Sequence, residues 1–336
     1  MRQGAQVRTC CEAVGVAPDG AGGYAVRYLQ HVGARDGHPE HLLDPTRELD
    51  RTVRGKIVVL AAGSLGSTRL LLSSRAALPG LSEQLGRRFS SNGDMFTVAR
   101  DCRAGNGRRR RKRPGRRLDP SVGPVITLSA SRRNGHRLWL QDAGGPATSE
   151  WLWQGLEMPA DLWGMRGVVA RRVMARLLRR RRETRLGPDL ARLMGSTRSS
   201  SAMLPLLHMG LDVPGGRLRL QGDALELDWS PNGESAPYFR ASREAGEQVA
   251  GELGGRLRFA RRGRTPTVHP VGGCAMGTTA SEGVVDTWGE VFGRRGLFVA
   301  DGAVLPGPVG PNPSLTIAAL ADRFAARMVE RARESG

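Results

Sequence analysis

The sequence predicts an α/β fold with an α+β portion, an antiparallel sheet, set inside it. Three observations predict this. Near the start, the apolar run Ile57–Leu60 meets the small-residue turn Ala61-Ala62-Gly63 and then a helical stretch, Leu65–Arg75. Near the end, Leu297–Ala300 stops at Asp301-Gly302, and a helix opens after a proline-rich loop. Strand, sharp turn and helix in that order are the unit of an α/β sheet. Between the two units lie shorter alternating runs with turn residues between them, the pattern of antiparallel strands.

In chain order, Gln6–Val16 alternates and reads as a strand. Gly20–Gly23 is a turn, and Tyr24–His31 is a second strand of period two. A polar loop runs to about Asp50, and Thr52–Leu60 gives two strand pieces. Ser64 is placed to cap the helix that follows. Ala61, Ala62, Gly63 and Gly66 allow a ligand or another backbone to come close, as does tight strand–helix packing. Asn92-Gly93 is a turn signal within Gly86–Ala99. Arg108–Arg117 is a solvated basic loop. Pro120–Ser131 and His136–Asp142 read as strands, Met209–Asp223 and Ala224–Trp229 as a strand pair, and Tyr238–Leu253 as a helix. Trp151, Trp153 and Trp163 precede Val168–Arg182, where apolar and Arg positions alternate at helical spacing. That helix either turns its apolar side inward or lies on an anionic membrane. In the last helix Ile317, Leu320, Ala321, Phe324 and Met328 share one face. Asn312 or Ser314 serves as its N-cap, and Pro313 fits its first turn.

The composition narrows the function classes. Among 336 residues, 51 Lys and Arg stand against 32 Asp and Glu, a net charge of +19. Lys56 and Lys112 are the only lysines, aromatics are 5%, and none interleave with the densest basic run. Charge alone therefore argues for nucleic acid, and no specific nucleic-acid partner is expected. Cys10, Cys11, Cys102 and Cys274 form no CxxC and no His/Cys cluster, so no metal site is expected and a reducing, cytoplasmic compartment fits. No apolar run approaches the roughly 18 residues of a membrane span. Peripheral contact with a membrane stays open through the basic helix.

Two motifs carry chemistry: HPVGGCAMG (His269–Gly277), and about 20 residues later GLFVADGAVLPGPVGPNPSLTIAAL (Gly296–Leu320). A loop stiffened by Pro306, Pro308, Pro311 and Pro313 aims a helix N-terminus, which suits something anionic or electron-rich. Histidine changes protonation near neutral pH. Pro270 holds His269 extended, and Gly272-Gly273 keeps the next backbone slim. Cys274 reads as a packing residue.

Together these motifs resemble the C-terminal signature of the glucose–methanol–choline (GMC) family of flavoprotein oxidoreductases, nearest its cholesterol-oxidase branch. Gly55–Leu72 resembles that family's strand–turn–helix beside the adenosine half of FAD, and Met209–Trp229 its substrate-domain strands. The likeness runs from about Gln6 to Met328 and is weakest over Asn106–Gly195. It implies an FAD-dependent oxidoreductase of steroid or other lipid metabolism, acting on the CH–OH group of a bulky apolar alcohol such as a 3-hydroxysteroid. It implies catalytic roles for His269 and Asn312, and cofactor contacts at Ala13, Gly63, Asp301, Gly302, Asn312, Pro313 and Ser314. Residues 1–100 and 260–336 would form a partial FAD-binding domain, and 101–259 a substrate-binding domain. Gln141 stands where sterol-oxidising relatives carry a glutamate, with Asp142 beside it. Gln cannot take a proton, so either Asp142 substitutes or that function is lacking. The family's opening strand–GxGxxG–helix unit has no counterpart here. The expectation is a truncated chain that holds FAD weakly or not at all when expressed alone. A non-catalytic relative or an Arg-rich interaction protein is the alternative.

Overall fold

A computed structural model of the protein describes residues 4–32, 48–104, 116–117, 126–133, 135–144, 203–259 and 267–334. Trp151, Trp153, Trp163, the helix expected over Val168–Arg182 and most of the Arg108–Arg117 loop lie outside the described residues. In chain order the strands are β1 (Cys11–Pro18), β2 (Tyr24–His31), β3 (Glu48–Gly55), β4 (Val58–Leu60), β5 (Met95–Arg100), β6 (Arg103–Ala104), β7 (Arg116–Arg117), β8 (Ser129–Arg133), β9 (Arg137–Asp142), β10 (Leu204–Gly210), β11 (Arg217–Gln221), β12 (Ala224–Asp228), β13 (Arg256–Phe259) and β14 (Leu297–Val299). The described helices are α1 (Gly63–Ser73), α2 (Ala236–Glu252) and α3 (Ser314–Glu334).

The chain divides into two units. The first holds 1–92, 212–234 and 268–336, and the second 93–211 and 235–267. The segment 212–234, read in the sequence as part of the middle region, thus groups with the two ends of the chain.

The first unit pairs β1, β2 and β3 as an antiparallel sheet. The β2 strand matches its expected bounds. The β1 strand starts later than Gln6, because Cys10 takes φ +53, a left-handed conformation that breaks an extended run. β4 and β14 pair in parallel, Leu297 beside Val58 through Val299 beside Leu60. Leu297, Phe298 and Val299 are fully buried. This three-residue apolar run is what a parallel strand covered on both faces requires. Leu71, Leu78, Val284, Val285 and Phe324 complete the core around it. Of the predicted α3 face, Phe324 is buried and Ile317, Leu320, Ala321 and Met328 are partly so, while the intervening positions are mostly exposed.

The second unit carries a five-stranded sheet in the order β13–β5–β10–β9–β8, every neighbour antiparallel. This is the antiparallel sheet expected for the middle of the chain. The α2 helix packs on β5 and β13. Met209–Asp223 is not one strand. It splits at Pro214-Gly215-Gly216: the part through Gly210 completes β10 here, and Arg217 onward forms the β11–β12 hairpin of the first unit. At the heart of this sheet His208 is fully buried, with Nε2 2.8 Å from Thr97 Oγ1 and Nδ1 2.9 Å from Ser242 Oγ.

Candidate active site

The site is built within the first unit, where three sequence-distant loops meet. β14 delivers Asp301, whose carboxylate is buried and held by three donors. Oδ2 accepts from the Gly63 N–H (2.9 Å) and the Ser67 hydroxyl (2.5 Å), and Oδ1 accepts from the Ala303 N–H (2.8 Å). A carboxylate at the first turn of α1 offsets the partial positive charge of that helix end. The expected cap was Ser64. Instead the helix begins at Gly63 with Ala62 at the cap position, and the Ser64 hydroxyl donates to the Gly272 carbonyl at 2.6 Å. Sequence reasoning missed Ser67. Its signal was the second serine of the GSLGST run, one turn into the helix.

From the other side, the Gly272 N–H donates to the Gly302 carbonyl at 3.0 Å. A Cβ added at Gly302 would lie 3.3 Å from the Pro270 carbonyl oxygen and 3.4 Å from Ile317 Cδ1. At Gly273, where φ is +104, it would run into Thr68 Oγ1. These glycines are therefore what lets the His269 loop, the Asp301 turn and the first turn of α3 close on one another. Cys274 lies fully buried beside Thr68, and burial pushes its thiol up to about 12, so it packs and does not attack.

The α3 helix residues begin at Ser314. Pro313 therefore occupies the cap position, and its carbonyl accepts from the Ile317 N–H at 2.9 Å. This corrects the expectation of Asn312 or Ser314 as the cap. Asn312 is exposed, and its amide nitrogen lies 3.4 Å from Nε2 of half-buried His269. The two residues predicted to carry catalysis, 43 positions apart, are thus brought together. Leu315 and Val268 flank them at 85% and 69% exposure. Gly63, Asp301, Gly302, Pro313 and Ser314 lie on the same converging loops. Ala13 does not. It is exposed on β1, whose neighbouring residues Glu12 and Val16 hold α1 further along, at Arg69 and Ser74.

Gln141 and Asp142 lie in the second unit on β9. Gln141 is buried. Burial raises the Asp142 pKa, but hydrogen bonds from the Thr127 hydroxyl (2.7 Å) and the Leu128 N–H (2.6 Å) outweigh it and hold the carboxylate below its usual range. That carboxylate anchors a strand end. Among the described residues no cluster of His, Cys, Asp and Glu could hold a metal ion, and no helix is long and apolar enough to cross a membrane.

Comparison with known proteins bears on this geometry. Residues 222–321 match the family model described as GMC oxidoreductase. A cholesterol oxidase of Mycobacterium tuberculosis is 27% identical over 288 residues, covering 82% of this chain and 47% of that protein. A long-chain-alcohol oxidase of Arabidopsis thaliana is 32% identical over 119 residues, covering 34% of this chain and 16% of that one. The chain spans less than half the length of these curated relatives. The crystal structure of pyridoxine 4-oxidase from Mesorbium loti superposes with a TM-score of 0.56 at 16% identity, over 95% of this chain and 57% of that one, a likeness of fold. The motif-bearing loops that converge at His269 and Asn312 fall largely inside residues 222–321, the stretch of this chain that is similar to GMC oxidoreductases.

Proposed function

We propose that this chain forms the His269–Asn312 end of an FAD-dependent oxidoreductase acting on the CH–OH group of a bulky apolar alcohol, with 3-hydroxysteroids as the substrate class. The observation that carries the reading is the approach of Asn312 to within 3.4 Å of His269 Nε2 at the mouth of the converging loops. The sterol and long-chain-alcohol oxidases among the relatives support the substrate class.

The residues present fit FAD in three respects. Gly63 has φ +77 and open space where a Cβ would stand, so a ligand can lie against its backbone. Leu315 and Val268 expose apolar surface beside the pair, and a flat ring laid there would remove it from water at about 25 cal/mol per Å². The first turn of α3 offers N–H groups to an anionic edge. Gly63, Gly302, Asn312, Pro313 and Ser314 would hold the cofactor, while Asp301 braces their loops through its three donors. Residues 1–100 and 260–336 would serve the flavin, and 101–259 the substrate.

FAD, when bound, supplies the hydride acceptor. His269 takes the hydroxyl proton of the alcohol at Nε2, and the Asn312 amide holds the substrate oxygen beside it. The exposed apolar side chains exclude water around the reacting carbon. Four cysteines with no CxxC spacing among them support a reducing, cytoplasmic setting, and the +19 charge supports substrate uptake at an anionic membrane surface.

The test is a visible spectrum of the purified chain with added FAD, followed by a sterol alcohol. Flavin bands that shift on binding and bleach with the alcohol would mean that the segments present make a working site, and no binding would mean that this chain alone does not hold FAD. In protein that holds FAD, His269→Ala should slow flavin reduction by about 10²–10⁴-fold with FAD affinity unchanged, and Asn312→Ala should slow it as well. Unchanged reduction rates in both variants would defeat the site.

A further inference from the structure

We propose that Asn92 is the positioning residue that sets the spacing of His269 and Asn312; this rests on the assignment of that pair made above. Asn92 is fully buried, and its side-chain amide uses its whole hydrogen-bonding capacity on one loop. Oδ1 accepts from the N–H groups of Val309 (2.9 Å) and Gly310 (3.1 Å). Nδ2 donates to the carbonyls of Gly310 and Pro311, both at 3.2 Å. The loop receiving these bonds is the one that ends at Asn312. It is rich in Pro and Gly, so its backbone groups need partners from elsewhere. Asn92 supplies them from a left-handed backbone, φ +55, which asparagine tolerates better than most residues.

The same tripeptide holds the histidine side. Ser90 and Val271 exchange two backbone hydrogen bonds, at 3.0 and 3.1 Å, and Val271 lies two residues beyond His269. The Ser90 hydroxyl accepts from the Asn92 N–H (2.9 Å) and donates to Asp212 Oδ1 (2.5 Å). Asp212 Oδ2 accepts from both the N–H and the hydroxyl of Ser91 at 3.2 Å. Ser90, Ser91 and Asn92 are fully buried, and Asp212 is nearly so. One carboxylate thus fixes a three-residue segment with two arms, one to the His269 loop and one to the Asn312 loop. Asn92 acts through Asn312 and does not touch the reacting atoms.

The experiment uses the 336-residue chain and needs no turnover. The ring-nitrogen NMR signals of His269 are compared in wild type, Asn92→Gly, Asn312→Ala and the double variant, together with hydrogen exchange at the Val309 and Gly310 amides. Glycine accepts the left-handed backbone, so the first variant removes the side chain without straining the turn. We expect Asn92→Gly to speed exchange at both amides by about tenfold or more. We expect it to move the His269 signals as Asn312→Ala does, with the double variant moving them no further. Movement in Asn312→Ala but not in Asn92→Gly would overturn the proposal and leave the pair intact. No movement in Asn312→Ala would show that the pair is not in contact, and both readings would fall. Should Asn92→Gly not fold, Asn92→Asp decides. It keeps an oxygen for the Val309 and Gly310 N–H groups and loses both donations, so displaced His269 signals support the role and wild-type signals refute it.

Discussion

Acidification should loosen the antiparallel sheet of the second unit through His208. The imidazole is fully buried between Thr97 and Ser242, and burial draws its pKa from 6.5 down to about 4, with hydrogen bonding to Ser242 opposing the fall in part. Between those values the unfolded chain binds a proton that the folded chain refuses. Stability is therefore fully present above about pH 6.5 and is lost as the pH falls toward 4. The whole gap amounts to about 3 kcal/mol, and about 2 kcal/mol of it is gone by pH 5. With a urea slope of about 2 kcal/mol/M, the unfolding midpoint should drop by about 1 M between pH 7.5 and 5. The assay is urea unfolding followed by circular dichroism at both pH values, for wild type and His208→Gln. The variant starts less stable but carries no proton switch at that place, so its midpoint should move much less. A wild-type midpoint that falls no further than the variant's would refute the linkage.

Two other outcomes follow from buried groups of the two units. Asp301→Asn puts an NH₂ group opposite at least one of the Gly63, Ser67 and Ala303 donors; a cost of about 2–4 kcal/mol and a melting temperature lower by about 5–10 °C are expected, and an unchanged melting curve would show that the brace is dispensable. In the folded chain only half-buried Cys10 and Cys11 should react with a thiol reagent at pH 8, because burial pushes Cys102 up to about 11 and Cys274 up to about 12; all four should react in denaturant, and a third fast thiol before unfolding would contradict this.

Local pattern was enough wherever a segment's structure is set by its own neighbours. Tyr24–His31, the β14 run and the buried stripe of α3 follow directly from period two, continuous apolarity and helical spacing. The failures share a cause. Met209–Asp223 reads as one strand because nothing within it says that its halves join different sheets; Asp212, bonded to Ser90 and Ser91 about 120 positions away, holds the change of direction. Ser64 looks like a cap because it precedes an apolar run, yet the charge at the start of α1 comes from Asp301, 238 residues on. Asn92-Gly93 was legible as a turn, and the positive φ of both residues agrees. The four bonds of the Asn92 amide were not legible, because their partners lie more than 200 residues later. The ingredients of the candidate site were visible in the sequence. The braces that hold them at one spacing are long-range and polar, and no periodicity reports them.

These braces also bear on where a ligand's charge would sit. Two helices open toward the converging loops. The N-terminus of α1 already faces the Asp301 carboxylate, so its partial positive charge is balanced from within the chain. The first turn of α3 contains no acidic residue, and the residues before it are Asn312 and Pro313. The half-charge at that end, worth about 0.3–1 kcal/mol toward an anion at an exposed site, is the one left for a partner. Under the proposed reading, charge on a reduced flavin would therefore gather at α3, next to Asn312 and His269. The α1 side would meet the cofactor as a neutral surface of small residues at Ala61, Ala62 and Gly63. Removing the Asp301 charge should then weaken the fold of both loops first, and change cofactor binding only through that loss of shape.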